Sequence, residues 1–212
     1  MTGGSLSVVT CFVALLAIMN PIGNIPLFLA MTEGDDDGKR RRMALVTTVA
    51  VLVTLALVAV AGSRILAAFG ITIDDLRVAG GIVVLLIGLS MLHSETSGMH
   101  NSPAETAEGR QKDSPAIVPL AIPLTAGPGA MATVIVFAQN ANAPADYAAL
   151  GGAIAAASLA TYLSFRTGTR LQRVLGVSGM NIMVRIMGLL LASIAIGLIA
   201  TGLKGLFPAL AG

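Results

Sequence analysis

Six stretches of this chain are each long and apolar enough to cross a lipid bilayer, which removes most folds otherwise open to 212 residues. A hydrocarbon core of about 30 Å takes about 20 apolar residues of helix. The stretches run approximately over Ser5–Met31, Met43–Ala61, Leu76–Leu92, Ala116–Gln139, Tyr147–Phe165 and Ile182–Leu203. Charged residues make up 11% of the chain, whereas a soluble domain carries about 25%. Little length remains outside the spans, so the expectation is an all-α integral membrane protein with six transmembrane helices. It forms a single domain over 1–212, with a first unit over about 5–92, a loop over 93–115 and a second unit over about 116–206. Met1-Thr2-Gly3-Gly4-Ser5 lacks the positive start of a cleavable signal, so the first span is expected to stay in the fold.

Lysine and arginine in the connections set the expected orientation, because cytoplasmic loops carry the excess. One side holds Lys39, Arg40, Arg41, Arg42, Arg110, Lys112, Arg166, Arg170 and Arg173, and the other holds Arg64 and Lys204. The first set is therefore placed in the cytoplasm and both termini outside. Topogenic charge accounts for all of these residues, and no nucleic-acid partner is expected. Cys11 is the only cysteine. It allows neither an internal disulfide nor a cysteine-based metal site, and is read as a packing residue.

Two spans are interrupted. The first break is Asn20-Pro21-Ile22-Gly23-Asn24-Ile25-Pro26, and the second is Pro123-Leu124-Thr125-Ala126-Gly127-Pro128-Gly129. Unwound backbone survives at membrane depth only where protein or an aqueous cavity satisfies it. Pro21 and Pro128 lie 107 residues apart, and Arg77 and Arg185 lie 108 apart. Arg77-Val78-Ala79-Gly80 also matches Arg185-Ile186-Met187-Gly188. The chain thus reads as two three-helix repeats, with the first and fourth helices broken at mid-membrane. Three crossings per repeat invert the second copy relative to the first, as in many secondary transporters.

Each break offers helix-start chemistry, a cap-competent residue followed by proline at the first helical position. The half-helix beyond it presents free N–H groups and a positive dipole end, which suit a carboxylate. Carbonyls at the end of the preceding half-helix suit an ammonium or a cation. The candidate substrate-binding residues are therefore Asn20, Pro21, Gly23, Asn24, Pro26, Pro123, Thr125, Gly127, Pro128 and Gly129. Pro26 leaves two readings open. Either a half-helix starting at Pro21 contains it, or the break extends to Pro26 with Asn24 near the cap. A plain kink competes for each break, since neighbouring helices can satisfy the freed groups. Arg77 and Arg185 lie close enough to helix ends to snorkel. They are read as gating or structural residues, with Asp74 and Asp75 as partners.

The remaining segments read as scaffold. Met43–Ala61 is apolar nearly all round and suits lipid contact. The fifth span is rich in glycine and alanine, which lets helices approach closely, and Tyr147 and Tyr162 at its ends are candidate interfacial anchors. The loop His93–Ser114 reads as a solvated linker in preference to a His93/Glu95/His100 metal site. Glu33–Gly38 places acids at a helix start.

The segments Ile18–Phe28 and Pro119–Ala130, together with Gly80-Gly81 and Arg185-Ile186-Met187-Gly188-Leu189, resemble the signatures of the MarC family. These are bacterial inner-membrane proteins grouped with SnatA-type small-neutral-amino-acid transporters and, more remotely, with LysE-type exporters. The resemblance covers about Ser5 to Leu206. It departs at Gly197, near which the family pattern leads one to expect a polar residue, often glutamine. It implies a six-helix inner-membrane protein and transport of small neutral amino acids.

The functional expectation is a secondary transporter of small zwitterionic solutes such as glycine or alanine, importing or exporting by alternating access. A non-transporting membrane partner, a channel-like protein and an exporter of another small solute are the alternatives. An enzyme is not expected, because the spans hold no histidine and carry Asp or Glu only at their ends. No ATP-binding motif is present. A coupling cation (sodium or a proton) and a homo-oligomeric assembly remain open, and no other cofactor is expected.

Overall fold

A computed structural model describes residues 7–93, 120–122 and 125–211. Every element among these residues is helical. Helix α1 spans Val8–Met19 and ends at Asn20, whose φ of 45° is left-handed. Asparagine tolerates that conformation better than most residues, and Pro21 cannot donate the next helical hydrogen bond. Helix α2 spans Ile25–Met31, with Asn24 at its cap and proline in its first turn. The second reading of Pro26 therefore holds: it opens the half-helix instead of interrupting it. At 1.5 Å per residue α1 is about 18 Å long and α2 about 11 Å, together close to a core of about 30 Å.

Helix α3, Asp37–Ala68, starts where the Asp36 carboxylate accepts the Lys39 N–H at 2.8 Å. This satisfies one of the four orphan donors of a helix start. Helix α4, Ile73–His93, starts with a reciprocal box. The Thr72 hydroxyl accepts the Asp75 N–H at 3.1 Å, and the Asp75 carboxylate accepts the Thr72 N–H at 2.8 Å. Helix α5, Pro128–Asn140, follows a wide turn in which the Ala126 N–H reaches back five residues to the Ala121 carbonyl at 2.8 Å. Helices α6, Pro144–Gly176, and α7, Ser178–Leu206, join at a kink marked by Gly176, whose φ is 63°. A short 3-10 turn, Pro208–Ala211, ends the described chain.

Among the described residues α3, α4, α6 and α7 are each long and apolar enough to cross a membrane. Large apolar side chains lie exposed along their outer faces, as at Leu45, Val49, Val53, Leu57 and Val60 on α3 and Leu159 and Leu163 on α6. Exposed apolar surface on this scale marks contact with another apolar phase, and the length of the bands identifies that phase as lipid. The lipid-facing role expected for the second span is in place.

Three clusters hold the helices together. Cys11, Leu15 and Met19 pack with Val51 and Leu55 of α3, Ala130 and Val134 of α5, and Ala153 and Ala157 of α6. Beneath the first break, α2 packs on Leu120, Phe165 and Met180, with the Phe28 and Phe165 rings stacked 4.5 Å apart. The third cluster joins α4 to α7. Their backbones meet at Gly88 and Gly188, where a Cβ on Gly88 would lie 2.8 Å from the Gly188 carbonyl. Small residues permit such approach where no hydrophobic drive exists between helices.

Charge is partitioned along the bundle. Arg64 and Tyr147 line one groove, and Gly205 backs onto the Asp74 carboxylate. The end of α3 and the starts of α4 and α6 therefore share one end of the bundle with the end of α7. Lys39–Arg42 and Arg166, Arg170 and Arg173 belong to the opposite end. These cations sit on helical turns instead of the loops expected from sequence, because α3 starts before them and α6 continues past Phe165 to Gly176. Tyr162 is half-buried and packs against the cluster formed by α2 and Phe165.

Candidate functional site

The two breaks meet. Asn20, Asn24, Thr125, Gly127, Pro128 and Gly129 line one central cavity, which α4 and α7 close with Val83, Val84, Ile87 and Leu191. Asn24 makes the join. Its Nδ2 donates to the Met19 carbonyl at 3.0 Å, at the end of α1, and to Thr125 Oγ1 at 3.5 Å, in the second break. Thr125 in turn donates to the Leu120 carbonyl at 2.8 Å. Asn20 folds its side chain beneath Gly23, accepting the Gly23 N–H on Oδ1 at 3.2 Å, while its Nδ2 faces Met91 Sδ at 3.8 Å. A Cβ on Gly23 would overlap the Asn20 amide, which explains glycine there.

The second break contributes backbone. Gly127 caps α5 without a side-chain hydrogen bond, and Pro128 follows at its start. Gly129 and Ala130 hold the second and third helical positions, where N–H groups have no intrahelical acceptor. Both line the cavity, so a helix start with its positive dipole end faces the asparagine amides. Gly129 is needed for this approach, because a Cβ there would lie 2.5 Å from Val84 Cγ2 and 3.2 Å from Ile18 Cγ2. Gly80 serves the same fit from α4, where a Cβ would lie 3.3 Å from the Pro128 carbonyl.

The cavity encloses about 20 Å³, close to one water. In this conformation the site is closed down, and a larger solute requires its walls to part. No acid or base lines it. The arrangement can hold a small polar solute through amide, hydroxyl and backbone N–H groups, and supplies no group for proton transfer.

The other predicted site residues lie elsewhere. Pro21, Gly23 and Pro26 shape the first break without lining the cavity, and Pro123 lies outside the described residues. Arg77 is half-buried, pairs with Asp74 at 2.6 Å, and lines a second cavity of about 260 Å³ with Ala14, Ile18, Thr133, Phe137 and Thr201. Arg185 is exposed on α7, with no ion pair recorded among the described residues. Asp75 bonds Thr72 and not an arginine. His93 lies 2.8 Å from the Leu89 carbonyl, while Glu95 and His100 lie outside the described residues. Sequence reasoning missed the apolar wall of Val83, Val84, Ile87 and Leu191, which carries no polar signal. The Gly80-Gly81 pair was its available mark, because it shows where α4 must approach another backbone.

A third cavity, about 560 Å³, lies between α3, α5 and α6 and shares no lining residue with the central one.

Comparison with known proteins gives the chain its relatives. The UPF0056 membrane protein YvbG of Bacillus subtilis is 38% identical over 96% of this chain and 97% of its own length. The UPF0056 membrane protein YhcE of Escherichia coli is 38% identical over 94% of this chain and 93% of its own. A UPF0056 membrane protein of the archaeon Pyrococcus abyssi is 35% identical, over 92% and 94%. No solved structure matches. The model of the MarC family of integral membrane proteins matches residues 6–207, nearly the whole length, and the chain belongs to that family.

Proposed function

We propose that this protein is a secondary transporter of small neutral amino acids, of the size of glycine or alanine, working by alternating access around the central cavity. One observation carries the reading: two breaks far apart in sequence converge on a buried cavity lined by asparagine amides and an uncapped helix start. A carboxylate suits the free N–H groups of Gly129 and Ala130, and an ammonium suits the amide oxygens and the carbonyls around the first break. The closed volume favours small solutes over large ones.

The six-crossing inverted repeat belongs to this proposal. The meeting of the two breaks supports it, as does the matched Arg-x-x-Gly opening at Arg77 and Arg185. So does placement in a bacterial inner membrane, with the Lys39–Arg42 end cytoplasmic by the positive-inside rule. The direction of net movement follows from the gradients, and with no acid in the cavity a coupling cation would be held by backbone carbonyls.

Purified protein in sealed vesicles should move labelled glycine or alanine saturably. Flux measured with and without a sodium gradient and a pH gradient tests coupling in the same preparation. Absence of movement for amino acids, drugs and metabolites alike would end the proposal. Binding without saturable flux would favour a non-transporting partner.

A further inference from the structure

The second cavity has no role in the central site, yet touches it. Ile18 lines both cavities. A Cβ on Gly129 would lie 2.5 Å from Val84 Cγ2 and 3.2 Å from Ile18 Cγ2, so both side chains lie against the start of α5. Ile18 is thus the one residue common to the linings of the closed central cavity and of an outer chamber of about 260 Å³. At about 30 Å³ per water, the chamber has room for about nine waters or one small amino acid.

Its lining is apolar apart from Thr133, Thr201 and Arg77. The threonine hydroxyls donate to their own helices, Thr133 to the Gly129 carbonyl at 2.9 Å and Thr201 to the Gly197 carbonyl at 2.8 Å. They therefore present lone pairs to the chamber. Arg77 provides its positive charge. Asp74 binds one terminal nitrogen, Nη1, at 2.6 Å, and is itself held by the close approach of Gly202 and Gly205 of α7. A guanidinium has five donors in a rigid plane, so a pinned Arg77 keeps further donors for a second carboxylate. With its side chain 24% exposed, Arg77 stands where the chamber meets the surface.

We infer that this chamber is a second, peripheral binding site, where Arg77 receives the carboxylate of a small amino acid before Ile18 moves aside to admit it to the centre. Asp74 acts as a positioning residue, holding the guanidinium toward the chamber. The inference rests on the transport reading for its purpose, but the binding step can be tested without flux.

Thr201 is exposed at the chamber, so Thr201→Cys in a Cys11→Ala background places one thiol there. Its rate of modification by a charged thiol reagent is measured on protein in lipid nanodiscs with added glycine, propionate or ethylamine. Glycine and propionate should slow modification in a saturable manner, while ethylamine should not. Arg77→Gln should raise the half-protecting concentration of propionate at least tenfold, and Arg77→Lys should recover part of that loss. An unchanged half-protecting concentration in Arg77→Gln would overturn the inference, as would equal protection by ethylamine. Should Arg77→Gln fold poorly, Asp74→Asn serves instead, and is expected to raise the same concentration by loosening the guanidinium. Glycine flux through vesicles of the same protein separates the two ideas. Protection without flux leaves this site standing and removes the transporter, and flux without Arg77-dependent protection does the reverse.

Discussion

Asn24 holds the two breaks together through one amide group, with Met19 on one side and Thr125 on the other. Replacing it with alanine leaves the buried Met19 carbonyl without that donor, and such a loss costs about 1–3 kcal/mol. A lowered apparent melting temperature of purified Asn24→Ala checks this, and the variant should also lose stabilisation by glycine. Gly129 gives a sharper test, because the obstacle to a Cβ there is a side chain tip and not backbone. Gly129→Ala should abolish glycine-induced stabilisation, and adding Val84→Ala should restore part of it by making room. A pair that behaved additively would show that Gly129 matters for something other than this fit. These roles were unequally legible in the sequence. Asn20, Asn24 and Thr125 stood out as polar residues inside apolar spans, and the glycines as positions without side chains. Whether Asn24 or Asn20 made the bridge was not legible, since that depends on the left-handed turn at Asn20 and on a partner 101 residues away.

Among the elements, the crossing of α4 and α7 is the most demanding of sequence. A Cβ on Gly88 would meet backbone atoms of α7 at 2.8 Å, while Gly151 on α6 has no neighbour within 4 Å. Gly88→Ala must therefore push two helices apart and should destabilise the protein by about 1–3 kcal/mol. Gly151→Ala should be neutral or stabilising by up to about 1 kcal/mol, through helix propensity alone. Unfolding of both variants followed side by side by circular dichroism tests the contrast, and equal effects would refute the packing account. Element positions followed from hydropathy because a bilayer imposes a minimum length on each crossing. Their ends did not, because turns beyond the lipid need no apolar residues. The turns carrying Lys39–Arg42 and Arg166–Arg173 are helical for that reason, though hydropathy stopped short of them.

For the molecule as a whole, the partition of charge was foreseeable from where lysine and arginine fall between the apolar stretches, and the lipid-facing bands from the length of those stretches. The convergence of the breaks was foreseeable only as far as they shared a position in each half. What the sequence did not reveal is how lightly α6 and α7 are joined. Gly176 is the only departure from helical geometry between Pro144 and Leu206. With no neighbour within 4 Å of a Cβ, Gly176→Ala should cost about 1–3 kcal/mol through the backbone alone, because φ 63° with ψ −176° is a region open essentially to glycine. In vesicles the same variant should slow glycine flux more than it weakens glycine binding. Equal losses in the two assays would mean that Gly176 has no part in motion. The mechanical consequence is leverage. Helix α7 has 29 residues, about 44 Å of rod, so a swing of about 10° at its Gly176 pivot carries the far end through about 8 Å. The Gly88–Gly188 crossing clamps α4 to that rod, and Val83, Val84, Ile87 and Leu191 travel with it. One residue at the end of the bundle is thus placed to set the width of the cavity at its centre.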